Sequence, residues 1–185
     1  MAVLRIEGPD WLDDLPRPAL GPGAADEDRM AWVLDVLDRQ VAERTGGPFA
    51  AAVFGGPDGA VLGVGVNRVE PTATCVAHAE VLALAEATQR VGRYSLAGTG
   101  SVLVTSTEPC AMCLGALVWG GVDRVVCAAA DADARAVGFD EGDKPADWVA
   151  ALGRRGIEVV HDVHRDRAVA AMRRYVEQGG TVYNG

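Results

Sequence analysis

Five apolar runs of strand length, spaced by stretches with helical character, restrict this chain to a small set of layered α/β folds. The runs are residues 49–54, 60–67, 101–105, 122–129 and 157–163. The first two flank Gly55-Gly56-Pro57-Asp58-Gly59, a segment dense in turn formers, and read as a β-hairpin. A helix is expected over residues 76–91, rich in Ala, Leu and Glu and stopped by Gly92, and another over 110–119, preceded by Pro109. Shorter helices are expected over 131–137 and 145–155, on either side of a polar turn at 138–144, and a final one over 165–178. Ahead of the hairpin, Met30, Val33, Leu34, Leu37 and Val41 recur at helical spacing behind the acids Asp26, Glu27 and Asp28, and Gly46-Gly47 end that helix. Strands separated by helices pair in parallel, whereas a hairpin is antiparallel. The expected fold class is therefore α/β, with a mixed five-stranded sheet covered by helices on both faces.

With 185 residues the chain suits one domain, and 49% hydrophobic against 23% charged residues is enough to bury a core. Residues 1–27 read as an acidic extension rich in Pro and Gly, with Pro9, Pro16, Pro18 and Pro22, and residues 28–185 as the folded domain. No apolar run approaches the roughly 20 residues of a membrane span, and residues 1–14 carry acids where a signal peptide would be apolar. Four cysteines are too few for a disulfide-stapled scaffold, so a reducing, cytoplasmic location and a metal site are expected. The net charge of −9 has the wrong sign for holding a polyanion, and aromatics at 5% are too sparse for a stacking platform. Long nucleic acid is a disfavoured partner. Arg154, Arg155, Arg165, Arg167, Arg173 and Arg174 read as a solvated face paired with acids.

Chemistry concentrates at two expected helix starts. His78-Ala79-Glu80 opens one, and Pro109-Cys110-Ala111-Met112-Cys113 opens the other. Cys110 and Cys113, three apart, share one helix face, where the helix dipole favours thiolates. Two thiolates and the His78 imidazole make a three-ligand zinc site, one ion per chain, leaving the fourth tetrahedral position to a water whose pKa falls to about 7. Glu80 is placed to take that water's proton and pass it to a substrate nitrogen. The non-enzyme alternative is a closed structural zinc site that adds Cys75, in an interaction module; it leaves Glu80 without a task. Cys127, in an apolar run, reads as core packing, and Trp32 and Val36 as core or dimer contact. His161 and His164, three apart in the expected last strand, would point to opposite faces and read as surface residues.

The pairing of His-x-Glu with Pro-Cys-x-x-Cys is the signature of zinc-dependent nucleobase deaminases. From Asp28 to the C-terminus the chain resembles the cytidine deaminase superfamily. Pro48-Phe49, Asn67, Thr105-Ser106-Thr107-Glu108-Pro109-Cys110, Leu114-Gly115-Ala116, Trp119 and Gly138-Phe139-Asp140-Glu141 are most similar to the bacterial guanine deaminases. That resemblance implies a three-layer α/β/α cytidine deaminase-like fold and hydrolytic deamination of a free purine base, guanine to xanthine and ammonia. It further implies a catalytic part for Glu141 beside Glu80, and substrate contacts from Asn67, Phe49, Ala79, Trp119, Phe139 and Tyr183. A homodimer is implied too, in some relatives with C-terminal exchange between the subunits. The alternatives within enzymes are tRNA adenosine deamination, or action on another nucleobase or a nucleoside; the tRNA enzymes share the zinc motif but generally lack the Gly-Phe-Asp-acid turn. Ala50 stands where Gly usually follows Pro-Phe, and Thr74-Cys75-Val76 are inserted before Ala77-His78. Both departures bear on pocket shape.

Overall fold

The computed structural model describes residues 5–21, 23–55 and 58–183, so Pro22 and the hairpin-turn residues Gly56 and Pro57 lie outside the described residues. Helix α1 (Asp26–Glu43) opens on its three acids, which suit the positive end of a helix, and stops where Arg44 turns left-handed at φ 54°. Strands β1 (Ala50–Gly55) and β2 (Ala60–Val66) form the expected antiparallel hairpin, with Ala50 opposite Val66. A short helix α2 (Val69–Thr72) follows; its Pro71 sits in the first turn, where a missing N–H costs nothing. Then come α3 (Ala79–Val91), β3 (Val102–Thr107), α4 (Ala111–Gly120) and β4 (Arg124–Ala129). The chain continues with α5 (Asp131–Ala136), α6 (Trp148–Gly153), β5 (Glu158–Val160) and α7 (Arg165–Glu177).

The five strands form one mixed sheet in the order β2-β1-β3-β4-β5: β1 is antiparallel to both β2 and β3, and β4 and β5 extend the sheet in parallel. Alternation along β1 divides the core. Ala50, Ala52 and Phe54 pack with Met30, Leu34 and Leu37 of α1 and Met172 of α7. Ala51 and Val53 pack with Ala83 and Ala87 of α3, Leu117 of α4 and Leu152 of α6. Helices therefore cover both faces, and the strands between them are apolar on both sides, as buried sheets require. This is the three-layer α/β/α arrangement.

Glycines in β2 set how closely α3 approaches. A Cβ at Gly63 would stand 2.2 Å from the Ala83 carbonyl oxygen, and one at Gly65 2.1 Å from that of Ala79. Helix backbone at Ala79, Ala83 and Ala87 thus rests directly on strand backbone. Along the free edge of β2 lies the segment read as an extension. Trp11, in a single 3-10 turn (Asp10–Leu12), is buried in the α1 core and donates its Nε1–H to Thr45 Oγ1 at 3.2 Å. Ala19 bridges Ala60 on the outer edge of β2, and Arg17 pairs with Glu86 of α3 at 2.6 Å. An exposed strand edge is thereby covered.

Three elements differ from expectation at their ends. The helix expected from residue 76 starts at Ala79, because turns hold residues 74–78 and His78 takes the extended backbone of an N-cap (ψ 150°). The helix read over 145–155 is confined to Trp148–Gly153. The last strand stops at Val160, because Asp162 and His164 adopt left-handed backbones (φ 62° and 55°). His161 and His164 therefore stand on a turn rather than on opposite faces of a strand. His164 is exposed at the N-cap of α7, while His161 is half-buried with Nδ1 3.0 Å from Glu108 Oε1.

Candidate active site

The carboxyl end of β3 delivers Glu108-Pro109-Cys110 to the start of α4, next to the place where the sheet changes from antiparallel to parallel pairing. Crevices beyond strand ends at such switch points are where α/β proteins hold ligands. Cys110 is the N-cap of α4, extended at ψ 171°, and its Sγ accepts the N–H of Cys113 at 3.5 Å. Cys113 is one turn inward on the same face. The N-terminus of α3 meets this one, with His78 at its N-cap and Glu80 as its second residue. Two helix N-termini converge on a single point, and both dipoles favour negative charge there.

His78 Nδ1 lies 3.4 Å from Cys110 Sγ and 3.7 Å from Cys113 Sγ, and the three ligand atoms fall within 4.8 Å of one another. Tetrahedral zinc with Zn–S of about 2.3 Å and Zn–N of about 2.0 Å places sulfur and nitrogen about 3.6 Å apart, which these spacings bracket. The donor set fits the metal in kind and in spacing. Among the described residues this is the one such group, and Cys75, exposed at the cavity rim, stands outside it. The closed four-ligand reading with Cys75 has no geometric support.

Charge in the site points the same way. A thiol hydrogen bond from Cys113 outweighs burial and, with help from His78, holds the Cys110 thiol down to about 4. The proton stays on Cys113, pushed far up by that same bond, by burial and by the charges of Glu80 and Cys110. His78 is raised: burial opposes its charge, but the Cys110 thiolate, Glu80 and Glu141 outweigh it. Glu80, 7% exposed, is raised by burial and then by the Cys110 charge. Glu141, also 7% exposed, is pushed up to about 8 by burial and by the charges of Glu80 and Cys110. Four buried acidic groups crowded around one imidazole, each of which a nearby positive charge would help to ionise, form an environment suited to a cation.

Glu80 is held by two contacts. Its Oε1 accepts the Thr105 hydroxyl and its Oε2 the Cys113 thiol, each at 3.4 Å. Glu141 enters from the turn after α5, its carbonyl accepting the Ala111 N–H at 3.0 Å. Between them lies a cavity of ≈ 390 Å³ lined by Phe49, Asn67, His78, Phe139, Tyr183 and both glutamates, among others. Phe139 packs edge-on against Phe49 at 4.9 Å and against Tyr183 at 5.5 Å between ring centres. Asn67 is buried, its Oδ1 accepting the Val69 N–H at 3.1 Å.

The described lining leaves out two residues expected to touch substrate. Ala79 is buried against the sheet beneath α3, and Trp119 is 82% exposed. Trp119 is nine residues on from Cys110, which places it half a turn round the helix from that ligand. Sequence reading missed the task of Thr105; its signal is a run of three hydroxyl residues, Thr105-Ser106-Thr107, buried at the end of a strand that starts apolar. Val69 and Met112, also in the lining, carried no local signal.

Comparison with known proteins agrees with this geometry. Residues 24–129, more than half of the chain, match the cytidine and deoxycytidylate deaminase zinc-binding region. A guanine deaminase of Bacillus subtilis is 42% identical over 108 residues, 55% of this chain and 67% of that protein. The structure of a guanine deaminase from Nitrosomonas europaea is 41% identical, with a TM-score of 0.87 over 94% of this chain and 96% of that one. A structure of an NE0047 variant with 8-azaguanine is 40% identical, with a TM-score of 0.89 over 95% and 97% of the two chains. With the donor triad, the glutamate beside it and the sheet order all in place, the chain belongs to the cytidine and deoxycytidylate deaminase family.

Proposed function

We propose that the protein deaminates a free purine base, taking guanine and water to xanthine and ammonia. The observation that carries this reading is the convergence of a metal-donor triad, two buried glutamates and an aromatic wall on one cavity of ≈ 390 Å³. Similarity to guanine deaminases over nearly the whole chain supports it. His78, Cys110 and Cys113 would hold one zinc ion per chain, which supplies an acidified water at neutral pH. Glu80 accepts the proton released there and returns it to a ring nitrogen, the Thr105 hydroxyl keeping its carboxylate in line. Glu141, pushed up by burial at the cavity wall, is suited to give a proton to the departing amine. Phe49 and Phe139 wall the base, with Tyr183 closing the far side, and Asn67, its amide oriented by Val69, offers its NH2 to a purine acceptor.

All of these residues lie within the proposed deaminase domain, 28–185; the proposed extension over 1–27 shares its core, since α1 starts at Asp26 and Trp11 packs against it. Helix α4 carries no charge, and Met112, Gly115, Ala116 and Trp119 form an apolar stripe on its outer face. That stripe suits a homodimer, with Trp119 placed against the second copy. Tyr183 reaches its own chain's Phe139, which needs no C-terminal exchange. Free cysteines and a surface without a membrane-crossing helix among the described residues suit a cytoplasmic enzyme.

Incubating purified protein with guanine, ammeline, guanosine, adenine, cytosine, cytidine and tRNA while following ammonia is the direct test. Release from guanine ahead of the others is expected. Release from tRNA with none from guanine would overturn the reading.

A further inference from the structure

Lys144 is the single lysine of a chain with sixteen arginines. Those arginines whose pairs lie on open faces, such as Arg154 with Asp147 and Arg165 with Asp162, sit in solvent. Lys144 does not: its side chain is 8% exposed, with Nζ 2.8 Å from Asp131 Oδ1, 3.6 Å from Glu108 Oε2 and 5.5 Å above the Trp148 ring. An ammonium is a compact point charge, whereas a guanidinium is a wide planar fork. The space between two carboxylates and an indole suits the former.

The three segments joined by this ammonium all border the cavity. Glu108 stands two residues before Cys110, Asp131 opens the helix that leads to Phe139, and Lys144 follows Glu141 by three residues. Glu108 is itself held at both oxygens, Oε2 accepting the Asp131 N–H at 3.1 Å and Oε1 lying 3.0 Å from His161 Nδ1. The turn around Glu141 has a second tie, since Arg135 bonds Asp140 Oδ1 at 3.1 Å and the Gly142 carbonyl at 2.8 Å. That tie is solvent-exposed and contributes little. Besides the Ala111 N–H bonded to the Glu141 carbonyl at 3.0 Å, the side-chain anchor of the turn is the buried Lys144.

We propose that Lys144 is the positioning residue of Glu141: its ammonium, bound between Asp131 and Glu108, pins the turn that presents Glu141 to the strand end that presents Cys110. The proposal rests on the assignment of Glu141 to the reaction. Lys144 touches no substrate in this scheme, so its removal acts only through Glu141.

A double-mutant cycle tests it. Lys144→Met is expected to lower kcat for guanine on the order of 10- to 100-fold, as displaced catalytic groups do, with zinc content retained and 8-azaguanine binding within about 3-fold of the parent. In a Glu141→Gln background the same substitution should change kcat less than about 2-fold. Asp131→Asn, which keeps the lysine and removes its nearer partner, should reproduce both results if Lys144→Met does not fold. Equal fold-losses with and without Glu141 would overturn the proposal and leave Glu141 in its role. Loss of zinc or of 8-azaguanine binding in step with kcat in both variants would also overturn it. Unchanged turnover in Glu141→Gln alone would remove the Glu141 assignment, and this proposal with it.

Discussion

Glu80 has two duties in the proposed reaction, accepting one proton and delivering it elsewhere, and its surroundings serve both. It is buried, which raises its proton affinity, and the Thr105 hydroxyl holds one of its oxygens. Glu80→Gln keeps the size and one hydrogen bond but removes the base. Turnover should fall by about 100- to 10,000-fold with zinc content unchanged, read by steady-state ammonia release alongside metal analysis; loss of zinc instead would make Glu80 part of the metal-holding set. The cysteines separate by geometry. Cys110→Ala or Cys113→Ala should lose both zinc and activity, because each supplies one of three donors, whereas Cys75→Ala should keep both. Metal analysis of the three purified variants decides this, and zinc loss from the Cys75 variant would restore the closed-site reading. These donors were legible in the sequence because their spacing is local: N-caps and i, i+3 pairs on one helix need no distant contact. The partner of Glu80 was not, since Thr105 reaches that helix residue from strand β3, 25 positions on.

Among the elements, α3 is the one whose placement the chemistry depends on most. It carries His78 and Glu80 and lies on β2 with backbone against backbone, an approach that only Gly63 and Gly65 permit. Gly65→Ala would set a methyl group 2.1 Å from the Ala79 carbonyl oxygen, one residue from each functional side chain. A destabilisation of about 1–3 kcal/mol is expected from such overpacking, together with weaker zinc binding, because the helix must move and its ligand moves with it. Denaturant midpoints and a zinc competition titration measure the two effects; a fall in stability with zinc affinity intact would show that α3 tilts about its N-terminus. Existence and order of the elements were readable from periodicity, while their ends were not. The last strand is cut short by left-handed backbone at Asp162 and His164, a turn that no Gly or Pro announces.

At the scale of the whole molecule, Glu86 ties the N-terminal segment, the edge strand and α3 together. It accepts Arg17 at 2.6 Å, the Val64 N–H at 2.8 Å and Arg90 at 3.0 Å. Burial alone would raise its pKa, but these three donors outweigh burial and hold it below the ordinary carboxylate range. A carboxylate depressed in the folded state adds stability that is present above its unfolded pKa and lost as pH falls through the folded one. Glu86→Gln should therefore be less stable than the parent at about pH 6, and the difference should shrink as pH falls to about 3. Denaturant unfolding at stepped pH values checks the sign, and a gap that widened in acid would contradict it. What the amino-acid sequence determined by itself was the α/β order, the three metal donors and the glutamate beside them, because strand and helix periods and helix starts are written within a few consecutive residues. Tertiary structure alone decided that the only lysine is buried beside Asp131 and Glu108, that Trp119 faces outward and that Thr105 meets Glu80. Each of those depends on segments more than ten residues apart coming into contact, and burial and charge pairing are properties of that contact rather than of any residue in it.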